Sequence, residues 1–122
     1  MTTHRARRLP GHRGVAAWSA LLGRGQEYAA LTGNGTADFV IVGGGVAGLS
    51  AARRLVQLQP GAKIVLLEAT RIAEGASGRN SGFMIDLPHE LTSSDYAGSG
   101  DDEAVIALNR QAIAFARDAA HD

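Results

Sequence analysis

Gly43, Gly45 and Gly48 stand in the pattern G-x-G-x-x-G, and Glu68 follows twenty residues after the last of them. Those residue types at that spacing suit one task, the holding of a dinucleotide. Gly43 would let the chain turn sharply off a strand. Gly45, without a Cβ, would let a pyrophosphate approach the backbone. Gly48 would let a helix pack close to that strand. The first helical N–H groups, near Val46 and Ala47, lack intrahelical acceptors and sit at the positive end of the helix dipole. A carboxylate at Glu68 would accept hydrogen bonds from an adenosine ribose. An acid there argues against a 2′-phosphate, hence against NADP.

This chemistry needs a strand before the glycines, a helix after them and a second strand ending at the acid. The sequence supplies each. "DFVIV" (Asp38 to Val42) is a short apolar run rich in β-branched residues, as expected of a parallel strand buried on both faces. Val46 to Gln59 reads as a helix with Leu49, Ala52, Leu55 or Val56, and Gln59 on one stripe; Arg53, Arg54 and Gln57 lie mostly off it. "QPGAK" stops that helix, and "KIVLLE" (Lys63 to Glu68) is a second buried strand. The result is a βαβ unit, α/β in class.

The flanks are less regular. Residues 1–13 read as disordered or arm-like, and a short helix is expected near Val15 to Leu22, where Trp18, Leu21 and Leu22 call for burial. "ATRIAEGASGRNSGFM" is small, polar and glycine-rich, neither a strand nor an amphipathic helix. "LTSSDYAGSGDDEA" is a loop leading into a helix over Ala104 to Ala120, with Asp101 or Asp102 as its cap. Val105, Leu108, Ala112, Phe115 and Ala119 would line one side of that helix, with Ile106 and Ile113 beside them.

Composition removes several classes of function. The 12 basic residues balance the 12 acidic ones, so bulk charge points to neither nucleic acid nor a membrane surface. There is no cysteine, which excludes disulfides, thiolate metal sites and a cysteinyl flavin link within the chain. His4, His12, His89 and His121 have no metal-ligand spacing, so no metal is expected. The longest uncharged stretch, Phe39 to Ala52, is too short to span a bilayer and carries four glycines. The first 26 residues hold five arginines and no acid, but Pro10, Gly11 and Gly14 interrupt the apolar run behind them and no A-x-A cleavage pattern follows. A cytoplasmic location is the default expectation.

NAD and FAD share the glycine fingerprint, and the residues after Glu68 help to separate them. "VGGGVAGLSAA", the glutamate closing "VLLE" and, most specifically, "GASGRNSG" together closely resemble the start of FAD-dependent amine and amino-acid oxidoreductases, the D-amino-acid oxidase or glycine/sarcosine oxidase-like family. The resemblance covers residues 38–84, and the upstream arm is similar more loosely. It implies that Gly43, Gly45 and Gly48, with the backbone of Val46 and Ala47, hold the FAD pyrophosphate. Glu68 would bind the adenosine ribose, with Ala69 and Arg71 bordering the adenine. Ser77, Gly78, Arg79, Asn80 and Gly82 would form a second flavin loop along the diphosphate and ribityl, with Arg79 offsetting phosphate charge. In such enzymes a hydride passes from the carbon beside an amine to the flavin, the imine hydrolyses, and the electrons go on to oxygen or another acceptor. The family's catalytic residues lie downstream, so no catalytic residue is assigned.

The fold expected on this basis is a Rossmann-like βαβ dinucleotide-binding unit, an incomplete FAD-binding domain. Residues 1–36 form an arm with a short helix; residues 37–122 hold the βαβ unit, the second flavin loop and one helix. Members of the family are several times longer, so the chain is expected to be an N-terminal fragment, inactive alone. Its partners would be a small-molecule amine or amino acid, bound elsewhere, and the remainder of the enzyme. Two other readings are an NAD-dependent Rossmann enzyme, which predicts a further βαβ soon after Glu68, and a non-catalytic nucleotide-binding or interaction module.

Overall fold

The structure, a computed structural model, describes residues 8, 11–23, 25–87 and 102–121. The chain divides into two compact units, Met1–Asn80 and Ser81–Asp122.

In the first unit, β1 (Phe39–Val42) is followed by α1 (Val46–Leu58) and β2 (Ile64–Leu67), after a short helical turn at Ala17–Leu22. The βαβ expectation holds, with each element trimmed by about a residue at its ends. The strands pair in parallel, Phe39 with Ile64 through Val42 with Leu67. Beyond the ladder, Gly43 N–H donates to the Leu67 carbonyl at 2.8 Å, so the carboxyl ends of both strands stay in register as the chain leaves them. At the opposite end Asp38 aligns the pair: its N–H donates to the Lys63 carbonyl at 2.9 Å, and its Oδ2 accepts from Lys63 N–H at 2.8 Å.

The expected burial of the strands on both faces is not found. Val40 is 57% exposed and Val42 84%, and every β2 residue is only partly covered. Two strands with one helix cover one face of the sheet and neither outer edge. The near-continuous apolar runs are those of strands that have neighbours on both sides. The helix stripe is corrected for the same reason. Gly48, Ala52 and Leu55 are half-buried, whereas Leu49 and Val56 are exposed, because only a narrow sheet lies beneath them.

The expected short helix starts at Ala17 rather than Val15, and Trp18, Leu21 and Leu22 are exposed. Ala16, just ahead of it, is fully buried. Among the described residues only Ala16, Gly44 and Gly78 are buried, and all three belong to the glycine turn, the 74–80 loop or the arm against it. The stretch after β2 is irregular as expected, apart from one 3₁₀ turn at Ala76–Gly78.

The second unit contains a helix, α2 (Asp102–His121), with Asp102 and Glu103 in its first turn. Asp101, the alternative cap, and the loop before it lie outside the described residues, as do His4 and His89. The covered face of α2 is not the one expected. Val105, Leu108, Ala112 and Ala119 are exposed, while Ile106, Asn109, Ile113 and Phe115 are half-buried. The cause is polar: Asn109 Nδ2 donates to the Asp86 carbonyl at 3.1 Å, and Arg110 Nε to Asp86 Oδ2 at 2.9 Å, which turns that side toward the 81–87 segment. No helix among the described residues is long and apolar enough to cross a membrane.

Candidate functional site

The carboxyl ends of β1 and β2 are adjacent, and the residues that follow them are hydrogen-bonded to one another, Gly44 N–H to Glu68 and Ala73 N–H to the Gly44 carbonyl. Ligands of open α/β sheets sit outside such strand ends. Gly43 takes φ 106°, a left-handed value that an L side chain rarely adopts, and this produces the turn off β1. Gly48 lies on α1 directly over that turn, and a Cβ on it would collide with the Gly43 carbonyl oxygen. Both glycines therefore have the mechanical roles expected of them. A Cβ on Gly45 would come within 2.9 Å of Ser77 Oγ. The bare backbone at Gly45 thus faces the second loop.

Gly44, to which the G-x-G-x-x-G template assigns nothing, is the hinge between the two halves of the site. It is buried, and its N–H donates to Glu68 Oε2 at 2.7 Å. The Glu68 carboxylate also accepts at Oε1 from Thr70 N–H at 3.0 Å and from the Thr70 hydroxyl at 3.3 Å. These donors, the Gly44 amide first, hold the Glu68 carboxyl below the usual carboxylate range and keep it ionised. Thr70 was not foreseen, although a hydroxyl residue two positions past an acid is a local turn signal.

The consequence for stability has a definite sign. With its folded pKa depressed, Glu68 stabilises the first unit at any pH above the ordinary carboxylate value. That contribution disappears as pH falls through the lowered folded value. Acid denaturation monitored by circular dichroism should therefore set in only below the ordinary carboxylate value and continue down through the lowered folded value, and Glu68→Gln, which does not titrate, should flatten that limb. An unchanged acid limb in the variant would contradict the coupling.

At the start of α1, the Val46 N–H donates to Ser77 Oγ at 2.9 Å. The first intrahelical bond is Leu49 N–H to the Gly45 carbonyl at 2.9 Å. The remaining first-turn amides, Ala47 and Gly48, have no intrahelical acceptor and lie at the positive end of the helix. The turn thus offers backbone donors, the Ser77 hydroxyl and an ionised acid one strand away, a set that suits a diphosphate and a ribose.

The other candidates are placed as follows. Ala69 is exposed next to Glu68. Arg71 makes a surface ion pair with Glu27 at 3.0 Å. Gly78 is buried, where a Cβ would collide with the Ala73 carbonyl oxygen, so its bareness serves the loop's own packing. Asn80 Nδ2 donates to the Ser77 carbonyl at 2.8 Å and so braces the Ser77 turn. Arg79 donates to Glu74 and to the carbonyls of Arg13 and Gly14. Gly82 belongs to the second unit and takes φ 77°. Among the described residues no group of acids and histidines could hold a metal ion.

The sequence model of a family described as "FAD dependent oxidoreductase" (DAO) matches residues 38–122. The chain belongs to this family. The DAO family is FAD dependent, so FAD rather than NAD is the cofactor. Among curated relatives, gamma-glutamylputrescine oxidoreductase of Escherichia coli is 49% identical over 51 residues, which is 42% of this chain and 12% of that protein. Two proteins called probable oxidoreductase OrdL are each 36% identical. That of Rhizobium meliloti aligns over 57% of this chain and 16% of its own length. That of Haemophilus influenzae aligns over 64% of this chain and 18% of its own length. The chain therefore spans less than a fifth of these relatives. No solved structure matches it.

Proposed function

We propose that this chain is the FAD-cradling N-terminal part of a DAO-family oxidoreductase that oxidises amines or amino acids. The observation that carries the cradle is the link between the glycine turn and the acid. One buried amide, Gly44 N–H, joins them at 2.7 Å, and the Ser77 hydroxyl meets the first amide of α1 beside it. Ala47 and Gly48 would present their N–H groups to the diphosphate beside the Ser77 hydroxyl, which takes the Val46 N–H, and Glu68 would take a ribose hydroxyl. When bound, FAD supplies the acceptor for the hydride that leaves the carbon beside the amine. The residues of this chain bind and orient it; none is assigned a proton-transfer role.

The amine class is supported by the relative whose name contains putrescine, itself an amine. A cytoplasmic location and a small-molecule amine or amino acid as partner belong to the same proposal. The alternative of a self-contained interaction module is disfavoured by the bare sheet, with Val42 at 84% exposure. The test is to load the 122-residue chain with FAD and mix it anaerobically with polyamines and amino acids while following flavin absorption. The flavin should bind and stay oxidised. Reduction by any of these substrates would show that the chain is a complete enzyme and contradict the fragment reading.

A further inference from the structure

The Arg79 guanidinium is engaged on the N-terminal arm. Its Nε donates to the Glu74 carbonyl at 2.9 Å and its Nη1 to the Arg13 carbonyl at 3.0 Å. Its Nη2 donates to the Gly14 carbonyl at 2.8 Å and to Glu74 Oε1 at 3.2 Å. Four of the five guanidinium N–H groups are thus committed, in the rigid fork that lysine does not possess. Gly14, at φ 65°, makes the turn that brings the two arm carbonyls together on this fork.

Glu74 closes the connection from the other side. Its side chain is only 13% exposed. Its Oε1 accepts from Ala16 N–H at 2.8 Å, and its Oε2 from the Ser19 hydroxyl at 3.4 Å. A carboxylate this covered needs its donors. Trp18 Nε1 adds a bond to the Asn80 carbonyl at 3.0 Å, and Ala16 fills the space over Gly78, where a Cβ would sit 2.9 Å from Ala16 Cβ. Apart from the arm, the 74–80 loop is held by bonds of short reach within itself, Gly78 N–H to Gly75 and Arg79 N–H to Ala76 at 3.1 Å, Asn80 Nδ2 to Ser77 at 2.8 Å and the Arg79–Glu74 contacts, and by Ser77 Oγ on Val46 N–H. A single 3₁₀ turn does not hold its geometry unaided. Ser77, which contacts the first amide of α1, lies in the middle of this loop.

We propose that Glu74 and Arg79 are positioning residues: by tying residues 13–19 to the 74–80 loop they hold the Ser77 hydroxyl against the glycine turn, which makes the N-terminal arm a working part of the cofactor cradle. The inference rests on the reading of that turn as an FAD site.

Trp18 is the sole tryptophan and sits on the arm, so its emission reports docking directly. In the full chain, Arg79→Met and Glu74→Gln should each red-shift Trp18 emission and weaken FAD binding about tenfold. Arg79→Lys retains the charge but not the fork and should recover only a small part of either. Trp18→Phe, which leaves the loop's own residues intact, should weaken FAD binding two- to threefold from the arm side. Full recovery of FAD affinity in Arg79→Lys would overturn the inference in favour of simple phosphate-charge compensation. A shift in Trp18 emission with unchanged FAD affinity would also overturn it, as would wild-type emission in Arg79→Met. A wild-type chain that binds no FAD would defeat the cradle reading itself; failures confined to the variants defeat this inference alone.

Discussion

Gly48→Ala should abolish FAD binding and leave the first unit largely unfolded. The added methyl would be driven into the Gly43 carbonyl oxygen, a backbone atom that cannot swing aside as a side-chain tip would. Overpacking of an ordinary core costs roughly 1–3 kcal/mol, because side chains can share the displacement. Here the displaced group is the turn itself, fixed by the Gly43 N–H bond to Leu67 at 2.8 Å and by the φ of 106°. To make room, α1 must lift off β1, which moves its first-turn amides away from Gly45 and Ser77. Gly35→Ala, at a position with nothing within 4 Å of the new methyl, is the control and should change stability by no more than about 0.5 kcal/mol. Chemical denaturation followed by circular dichroism, with FAD fluorescence titration, gives both readouts. A folded Gly48→Ala chain with wild-type FAD affinity would show that close helix–strand contact is not needed.

Glu68→Ala should act on stability and binding together. In the folded chain the substitution leaves the buried Gly44 N–H without its 2.7 Å acceptor, a loss of about 1–3 kcal/mol for an unsatisfied buried donor. Thr70 loses its partner too, but it is exposed and water replaces the bond. FAD affinity should fall at least tenfold, that is by about 1.4 kcal/mol or more, since the acid no longer meets the ribose. Glu68→Gln keeps an oxygen for Gly44 but turns an amide toward the Thr70 donors, so it should lie between wild type and Glu68→Ala on both measures. A Glu68→Ala chain that is less stable yet binds FAD as wild type does would confine Glu68 to a structural role.

What could be read in advance was local. A β-branched run, three glycines and an apolar helix pattern lie within twenty residues, and each glycine role at Gly43 and Gly48 follows from steric limits that any neighbour imposes. Glu68 was legible because the length of a βαβ unit fixes where the second strand ends. Gly44 was not, because the template leaves its middle position open; only the unbroken run of three glycines hinted at it. The Glu74–Arg79 connection was invisible for a different reason. Its bonds join residues 55 to 66 positions apart, and no periodicity spans an irregular arm and an irregular loop. Arg79 beside Ser77 and Asn80 reads naturally as a phosphate contact, and nothing in the sequence announces its bonds to the carbonyls of Arg13 and Gly14. The face of α2 was misjudged because Asn109 and Arg110, polar residues, turn it through Asp86, whereas the pattern weighs only apolar side chains.

The most direct test of the account is a fluorescence titration of the purified 122-residue chain with FAD, set beside an identical titration with NAD and one on Glu68→Ala. The account predicts saturable FAD binding that is much stronger than NAD binding and that weakens in Glu68→Ala. A folded wild-type chain that binds neither nucleotide, or binds FAD equally well without Glu68, would contradict it.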